Sequence, residues 1–267
     1  MESIQKVALY IEDWLIKYTK KSKMDGFVVG VSGGVDSAVT STICARTGYP
    51  TLCLEMGIHQ NTSQVSKARK HIQWLEKNYK NVSHHYLSLT KLFDELRFTL
   101  PNGNNNYKTK LALANSRARL RMTTLYYFST INNYLVAGTG NKVEDFGIGF
   151  YTKYGDGGVD ISPIADLMKS EVFILAKYFE IIEDIQKSEP TDGLWDDDRT
   201  DEDQIGASYD EIEFVMKNFE KKSNLIFISR QKKVYQLYKN LNSKNNHKMN
   251  PIPVCKVPSS LKNSIEL

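Results

Sequence analysis

The chain has 267 residues, of which 41% are hydrophobic and 11% aromatic, so it is long and apolar enough to form a sizeable core. Its 35 basic and 31 acidic residues give a net charge of +4, which is too mild to indicate nucleic-acid binding. No apolar run approaches the roughly 20 residues of a membrane span, and the first residues lack the pattern of a signal peptide. We therefore expect a soluble cytoplasmic protein, with one domain over residues 1–267.

The three cysteines, Cys44, Cys53 and Cys255, are odd in number and show no C-x-x-C spacing. Such a set predicts neither a disulfide framework nor a zinc site. Each is interpreted as a small buried apolar side chain rather than as a nucleophile.

The first third of the chain alternates between helical and strand patterns. Apolar residues recur at helical spacing over 4–20, and Asp25-Gly26 then turns the chain into an apolar strand at 27–31. There follow a helix beginning near Asp36, a strand over 51–56, a helix over 62–79 and a strand over 82–87. This alternation predicts an α/β fold with a doubly wound parallel sheet flanked by helices, Rossmann-like in type. Such sheets bind ligands at the carboxyl ends of their strands.

The middle of the chain predicts a turn at 101–106, a long helix from about Lys108 to Asn132, and a fourth strand at 134–137. The apolar stripe expected to be buried, on the sheet or against a second subunit, consists of Leu111, Ala114, Ala118, Met122, Leu125 and Phe128. Helical geometry places Arg117 and Arg121 on one face and Arg119 nearly opposite. For any one of these arginines, exposure to solvent is the default expectation unless the helix borders the active cleft.

A glycine-rich stretch, Gly30-Val31-Ser32-Gly33-Gly34-Val35-Asp36-Ser37, joins the first strand to the next helix. This arrangement presents backbone amides to an anion, and phosphate is the expected ligand. The stretch is not a Walker A loop, because Val35 and Asp36 stand where that loop has Gly and Lys. A carboxylate here repels phosphate unless a cation lies between them, so Asp36 indicates Mg²⁺. The alternative is an ordinary glycine turn capped by Asp36.

The string Ser32–Ser37 resembles the signature of the ATP pyrophosphatases, which split ATP into AMP and pyrophosphate while they adenylate a substrate. The resemblance implies that ATP is a co-substrate. This one string leaves several members open, including NAD synthetases, GMP synthetases and enzymes that modify tRNA bases.

A second polar stretch, from Gly138 to Glu144, follows the fourth strand. It combines small residues with the hydroxyl of Thr139 and the carboxylate of Glu144. Because Mg²⁺ is typically held by one or two carboxylates together with phosphate oxygens and water, Glu144 is the natural second ligand beside Asp36. Taken alone, Glu144 would be interpreted as a solvated loop acid. The loop at 151–160, with turns at 156–158, also suits polar contacts with a ligand.

Three strings, 138–144, 151–160 and 190–195, resemble successive motifs of the ammonia-dependent NAD synthetases. The segment 203–212 and the pair His247-Lys248 are similar too, so the resemblance runs in order from residue 30 to 248. It implies that ammonia amidates deamido-NAD in an ATP-dependent reaction that gives NAD, AMP and pyrophosphate through an adenylated carboxylate, the last step of NAD biosynthesis. GMP synthetases and tRNA-modifying relatives share the first loop without these later strings.

The resemblance also implies roles for individual residues. ATP contacts are expected from Gly30, Val31, Ser32, Gly33, Gly34, Val35, Asp36, Ser37, Thr139, Lys169 and Thr191. Contacts with deamido-NAD are expected from Arg119, Lys153, Asp160, His247 and Lys248. The metal is expected at Asp36 and Glu144, and the catalytic residues are Asp36, Lys169 and Asp156. Lys169 would stabilise charge on the phosphates, and Asp156 would position ammonia.

The spacing from Glu144 to Lys153 is one residue longer than in some better-known members, which leaves the path of Asp145–Phe150 open. The acidic run 189–203 either closes over the site and excludes water from the adenylate, or is a solvated loop. The resemblance further implies a homodimer, and an ammonia donor rather than glutamine because the motif-bearing domain fills the chain.

Two rival functions remain open at the level of the sequence. A tRNA-modifying enzyme would need an electropositive face and, for thiolation, suitably placed cysteines, and neither stands out. A regulatory module that binds ATP without turnover would not need to retain Asp36, Glu144 and Lys169 together. Small-molecule substrates are therefore the expected partners, with neither nucleic acid nor membrane.

Overall fold

The sheet fixes the position of the site. The computed structural model describes residues 2–60, 62–101, 106–191, 200–220 and 229–262. Four parallel strands, in the order β3-β2-β1-β4, are β1 (Gly26–Gly30), β2 (Thr51–Gly57), β3 (Val82–Ser88) and β4 (Tyr134–Val136). The chain runs outward from β1 through β2 to β3 and then returns to the other side of β1, so a switch point lies between β1 and β4. The predicted doubly wound parallel sheet is confirmed.

Helices occupy most of the rest of the described chain. They are α1 (Glu2–Ser22), α2 (Val35–Arg46), α3 (Thr62–Asn78), α4 (Thr90–Thr99), α5 (Tyr107–Asn132), α6 (Lys169–Tyr178), α7 (Glu183–Gln186), α8 (Asp201–Ile205), α9 (Tyr209–Glu220), α10 (Ser229–Met249) and α11 (Ser259–Lys262), with a π-helix at Val143–Ile148. The predicted bounds of α1, α2, α3, α5 and the four strands agree with these. Periodicity did not predict α4 or the π-helix.

The two faces of the sheet are covered by different helices, as alternation along a strand requires. Phe27 and Val29 of β1 face a core formed with α1, α2 and α6. Val28 points to the opposite face, where Leu125 and Phe128 of α5 pack with the strands. The buried stripe of α5 is confirmed at Ala114 and Ala118, but its first member, Leu111, is 37% exposed, contrary to the prediction.

A second core lies beyond β4 and holds the segment that carries Glu144. Val143 and Ile148 of the π-helix pack with apolar residues of α9 and α10, among them Ile212 and Val234. Because both flanks of this segment are anchored in apolar contacts, its polar residues project in fixed directions.

The cysteines differ in environment. Cys44 and Cys53 are buried, as expected, and burial raises the pKa of Cys53 to about 12. Cys255 is exposed, so the expectation of burial is wrong for this residue. Across the described ranges, no helix combines the length and the apolar character needed to cross a lipid bilayer.

Some predicted features lie outside the described residues. They are the centre of the asparagine-rich turn, 102–105, and residues 192–195 of the 190–195 string. The same holds for residues 192–199 of the proposed lid.

A buried histidine between α2 and α3 predicts loss of stability in acid. His71 is fully buried, its Nε2 lies 3.0 Å from Ser41 Oγ, and burial lowers its pKa from 6.5 to about 4. Above pH 6.5 the residue is neutral in both states and contributes no pH dependence. Between pH 6.5 and 4 the unfolded chain binds a proton that the folded chain does not, so stability falls by up to about 3 kcal/mol.

The test is the free energy of unfolding in urea at pH 7.0, 5.5 and 4.5. His71→Gln retains a hydrogen-bonding group but does not titrate. The free energy of unfolding of this variant should therefore change less between pH 7.0 and 4.5 than that of the wild type. His85→Gln, at an exposed position in β3, should follow the wild-type profile. An equally steep profile in His71→Gln would contradict the assignment.

Candidate active site

The glycine-rich loop is held in shape by its own serines. Ser37 Oγ accepts a hydrogen bond from Ser32 N at 3.2 Å and donates one to Gly34 O at 3.0 Å, while Ser32 Oγ accepts from Gly34 N at 3.2 Å. Gly33 has a φ of +89°, a left-handed conformation that favours glycine. The N-cap of α2 is Gly34, which has no side chain to bind the first-turn amides. These amides are available to an anion.

Lys169 lies at the centre of the charged groups. The residue is 2% exposed, and its Nζ lies 2.6 Å from Asp36 Oδ2 and 3.0 Å from Glu144 Oε1. The ammonium also sits 4.8 Å from the centroid of the Tyr209 ring. Asp36 comes from α2, Glu144 from the π-helix and Lys169 from α6. The three predicted residues, far apart in sequence, therefore meet at the switch point between β1 and β4.

Asn141 and Tyr209 orient the two carboxylates. Asn141 Nδ2 donates to Asp36 Oδ1 at 3.1 Å, while its Oδ1 accepts from the backbone amides of Val143 and Glu144. Tyr209 OH donates to Glu144 Oε1 at 2.6 Å. Asn141 lies in the 138–144 string and Tyr209 in the 203–212 segment, but the sequence predicted no role for either residue. Their roles depend on contacts across 65 or more positions of sequence, which no local pattern shows.

Burial and ion pairing oppose each other in this network. Burial disfavours charge on Lys169, but the attraction of Asp36 and Glu144 outweighs it and raises the pKa of Lys169. Burial likewise disfavours charge on Glu144, but Lys169 and the Tyr209 hydroxyl hold the pKa of Glu144 below its ordinary value. Lys169 is therefore a permanent ammonium.

The donor set fits a divalent cation completed by a nucleotide. Two carboxylates, Asp36 and Glu144, converge on one point that now holds a single ammonium. No group of three or more His, Cys, Asp or Glu side chains placed for a metal occurs among the residues that the structure describes. Mg²⁺ needs only one or two carboxylates when phosphate oxygens and water complete its shell. The residues present therefore suit Mg²⁺ bound together with ATP.

A cleft of about 960 Å³ opens over this network. The predicted residues that line it are Gly30 to Ser37, Thr139, Glu144, Asp156, Lys169 and Thr191. Every residue predicted for ATP, metal or ammonia thus faces one space. The volume lies at the upper end of the range for ligand pockets in proteins.

Asp145 is a cleft residue for which the sequence predicted no role. Its carboxylate lies over Gly140, where an added Cβ would come within 2.1 Å of Oδ2. Burial, reinforced by repulsion from Glu144, Asp156 and Asp36, raises the pKa of Asp145 well above its usual value. Asp156 accepts a hydrogen bond from Thr152 N at 3.0 Å. Four carboxylates therefore crowd the β4 end of the cleft.

The residues predicted for deamido-NAD lie elsewhere. Arg119 Nη2 donates to Lys153 O at 3.3 Å, Lys153 Nζ to His247 O at 2.8 Å, and Lys248 Nζ to the carbonyls of Gly149 and Tyr151. These contacts join the 149–154 turn to the end of α10. None of the four predicted side chains is among those lining the large cleft.

Asp160, the fifth predicted contact, is held by Val136 N at 2.8 Å and Tyr126 OH at 3.0 Å. It lines a separate pocket of about 450 Å³. Together with the Arg119 group, Asp160 defines a second polar region, and its role in binding stays a prediction.

The arginines of α5 divide as their helical phase predicted. Arg119 is exposed, while Arg121 lines the cleft and donates to Met56 O at 3.0 Å and Gln60 Oε1 at 2.7 Å. Arg117 is buried, with its guanidinium 4.7 Å from the centroid of the Phe93 ring. Because α5 borders the cleft through Ala118 and Arg121, the condition under which solvent exposure was expected is not met.

Removal of the Tyr209 hydroxyl tests its contact with Glu144. Tyr209→Phe keeps the buried ring and its contact with Lys169 but removes a short hydrogen bond to a charged acceptor. We expect kcat to fall about 10-fold, because such bonds contribute on the order of 1.5–3 kcal/mol. The kcat of Tyr209→Phe and of the wild type is measured in a coupled enzyme assay. Tyr238→Phe, in the same apolar cluster, is the control. Equal turnover in the two variants would contradict the assignment.

Fold and site together define a class of protein. The parallel sheet has an open helix N-terminus at its switch point, beside two carboxylates that are joined by a lysine. These features define an α/β nucleotide-binding fold of the ATP pyrophosphatase type.

Comparison with known proteins gives the family. The NAD synthase family model matches residues 7–252, and the chain belongs to this family. It is 38% identical over 227 residues to the NH₃-dependent NAD⁺ synthetase of Carboxydothermus hydrogenoformans, covering 84% of this chain and 90% of that one. It is 36% identical over 252 residues to that of Mycoplasma genitalium, covering 94% and 95%. The solved NMN synthetase of Francisella tularensis has a TM-score of 0.81 and 29% identity, covering 95% of this chain and 99% of that one.

Proposed function

We propose that this chain is a ligase that uses ATP and ammonia to amidate deamido-NAD, giving NAD, AMP and pyrophosphate. The observation that carries the proposal is the buried Lys169 ammonium, held between Asp36 and Glu144 beside an open helix N-terminus. The curated relatives named above, similar over most of their length, support the same activity here.

The reaction needs no nucleophile from the protein. The nicotinate carboxylate attacks the α-phosphorus of ATP, the bond to the β-phosphate breaks, and pyrophosphate leaves. Ammonia then attacks the acyl carbon, the nitrogen releases one proton to solvent, and AMP leaves with the electron pair of the broken acyl–oxygen bond. The protein must bring two anions together, and Lys169 and the amides of the 30–37 loop supply compensating positive charge. Mg²⁺, held by Asp36 and Glu144, would neutralise further charge on the phosphates.

The carboxylates at the β4 end support a role in handling ammonia. Ammonium predominates near neutral pH, so a pocket of negative charge raises its local concentration. Asp156 lines the cleft and is fixed by its bond to Thr152 N, which suits it to position ammonia for attack on the adenylate. Asp156 is the proposed ammonia-positioning residue.

The dinucleotide contacts and a homodimer complete the proposal. Arg119, Lys153 and Lys248 present cations beside the 149–154 turn, next to His247, which suits the diphosphate of deamido-NAD. Large apolar side chains remain exposed on α4 and α5, where a second subunit would cover them. They are Phe98, Tyr107, Tyr127 and Ile131. A cytoplasmic location stays a prediction.

A second acceptor is the corresponding nicotinate mononucleotide. The Francisella tularensis structure, similar over nearly its whole length, is named an NMN synthetase. Both acceptors present the same pyridine carboxylate to ATP, so the Lys169 network serves either one. What differs is the adenylyl half, which only the dinucleotide carries.

One assay tests both candidates. The purified chain is incubated with ATP, MgCl₂ and ammonium chloride, and with either deamido-NAD or nicotinate mononucleotide. We expect NAD, AMP and pyrophosphate in equal amounts with deamido-NAD, and a higher kcat/KM than with the mononucleotide. A higher kcat/KM for the mononucleotide would favour the second candidate. No AMP release with either acceptor would reject the proposed function.

A further inference from the structure

Glu55 is a buried carboxylate with one oxygen turned toward the cleft. It lies near the carboxyl end of β2 and is 5% exposed. Arg69 donates to Oε2 from Nε at 3.3 Å and from Nη2 at 3.1 Å. Within the described ranges, Oε1 has no hydrogen-bond partner, and Glu55 lines the large cleft. Oε1 lies over Gly57, 3.3 Å from where a Cβ on that residue would be.

The second oxygen of Glu55 is open to the cleft. Oε1 does not belong to the fully buried side-chain oxygens without a hydrogen bond, so a molecule in the cleft can reach it. The Arg69 pair fixes the carboxylate and leaves Oε1 as a strong acceptor. A ligand that supplies an N–H group at this point would complete the set.

The surroundings of Oε1 suit a flat aromatic ring. Val31, Val65 and Ala68 line the same cleft as Glu55, and Val31 and Ala68 belong to one buried apolar cluster with Cys53. Cys53 and Glu55 are two positions apart on β2, so they point to the same face of the sheet. An apolar wall with a single oriented acceptor is typical of a site that recognises one heterocycle.

The phosphate loop is one strand away. Val31 N donates to Leu54 O at 2.8 Å, so the first residues of the loop lie directly beside the residue before Glu55. The reacting phosphate belongs at the opposite side of the loop, where Lys169 joins Asp36 and Glu144. A nucleotide with its phosphates on the 32–37 loop can therefore reach Glu55 with its base.

We propose that Glu55 selects adenine nucleotides by accepting a hydrogen bond from the exocyclic 6-amino group of the base. The inference rests on the proposed use of ATP and goes beyond it, because it assigns the choice among purines to one residue. Hypoxanthine and guanine carry an oxygen at position 6, and its lone pairs would face the carboxylate without a proton between them. Such a mismatch leaves two acceptors opposed in a desolvated site.

The experiment compares ATP with ITP as nucleotide substrates. For the wild type we expect kcat/KM to favour ATP by at least about 10-fold, the size of one charged hydrogen bond. Glu55→Gln keeps an oxygen for Arg69 and adds an amide N–H that can donate to a 6-oxo group. Its preference for ATP should fall by about 10-fold, through KM more than through kcat. Glu12→Gln is the matched control, because Glu12 also pairs with an arginine, Arg46, but does not line the cleft.

Each outcome decides the point. If the ratio of kcat/KM for ATP to that for ITP in Glu55→Gln stayed within about twofold of the wild-type ratio, the proposal would be overturned. Equal kcat/KM values for ITP and ATP in the wild type would overturn it as well. The wild-type measurement does not depend on whether a variant folds. If the wild type forms no NAD, calorimetric binding of ATP and ITP to the same proteins tests Glu55 on its own. A failure of the proposed function is thereby distinguished from a failure of this inference.

Discussion

Replacement of Lys169 with methionine is expected to lower kcat/KM for amidation by at least about 10³-fold. The Lys169 ammonium is the positive side chain bound to both Asp36 and Glu144, and it is 2% exposed, so solvent does not replace it. Methionine has a similar length but no charge. Without the ammonium, charge that develops on the α-phosphate and on the departing pyrophosphate loses its nearest compensating group.

Stability is expected to change together with activity. Loss of one partner from a buried ion pair leaves an unpaired charge and costs about 3–5 kcal/mol. Thermal unfolding must therefore accompany kinetics at a temperature where the variant is folded. Lys177→Met, at an exposed position of the same helix, is the control for loss of a lysine from α6. If a folded Lys169→Met variant kept more than about a tenth of the wild-type kcat/KM, Lys169 would not be the stabilising group.

Glu144→Gln is expected to raise the Mg²⁺ concentration for half-maximal rate by about 10- to 100-fold. The amide retains an oxygen that accepts from Tyr209 and Lys169, so the packing changes little. What it removes is half of the negative charge offered to a cation by Asp36 and Glu144. Titration of activity with MgCl₂ at saturating ATP measures the shift.

The control for Glu144→Gln is Asp166→Asn, which removes a carboxylate that is 98% exposed. Its Mg²⁺ dependence should match that of the wild type. An unchanged Mg²⁺ dependence in Glu144→Gln would place the metal elsewhere in the cleft. A large loss of turnover without a shift in Mg²⁺ dependence would instead assign Glu144 to the orientation of Lys169.

Local sequence patterns were sufficient for the sheet and for the phosphate loop. The short apolar runs at 27–31 and 51–56 are typical of strands buried on both faces of a parallel sheet, and the strand at 82–87 follows in the same repeating order, so each signal is contained in one segment. The glycines of the 30–37 loop indicate a tight backbone conformation, and this signal is also contained in one short segment. The helix α4 escaped prediction because only one of its side chains, Phe93, is buried.

The positions of the polar groups could not be predicted in the same way. Whether Asp145 faces the cleft or solvent depends on the conformation of the π-helix and on its packing against α9 and α10. Which oxygen of Glu55 is left open to the cleft depends on Arg69, because this residue of α3 binds the other oxygen. Helical phase separated Arg119 from Arg121, but only the packing of α5 on the sheet decided that Arg121 is the one at the cleft.

The π-helix at Val143–Ile148 lies at the start of the interval between Glu144 and Lys153, where the sequence predicted an additional residue. Its hydrogen bonds span five residues instead of four, so it takes in an additional residue while its two ends remain in place. The resemblance of the sequence motifs predicts that the interval from Glu144 to Lys153 is one residue longer than in some better-known members of the family. The wider turn can therefore absorb an insertion between two groups of binding residues without displacing either. Deletion of one residue here should convert the turn to an ordinary α-helical one while Glu144 keeps its position.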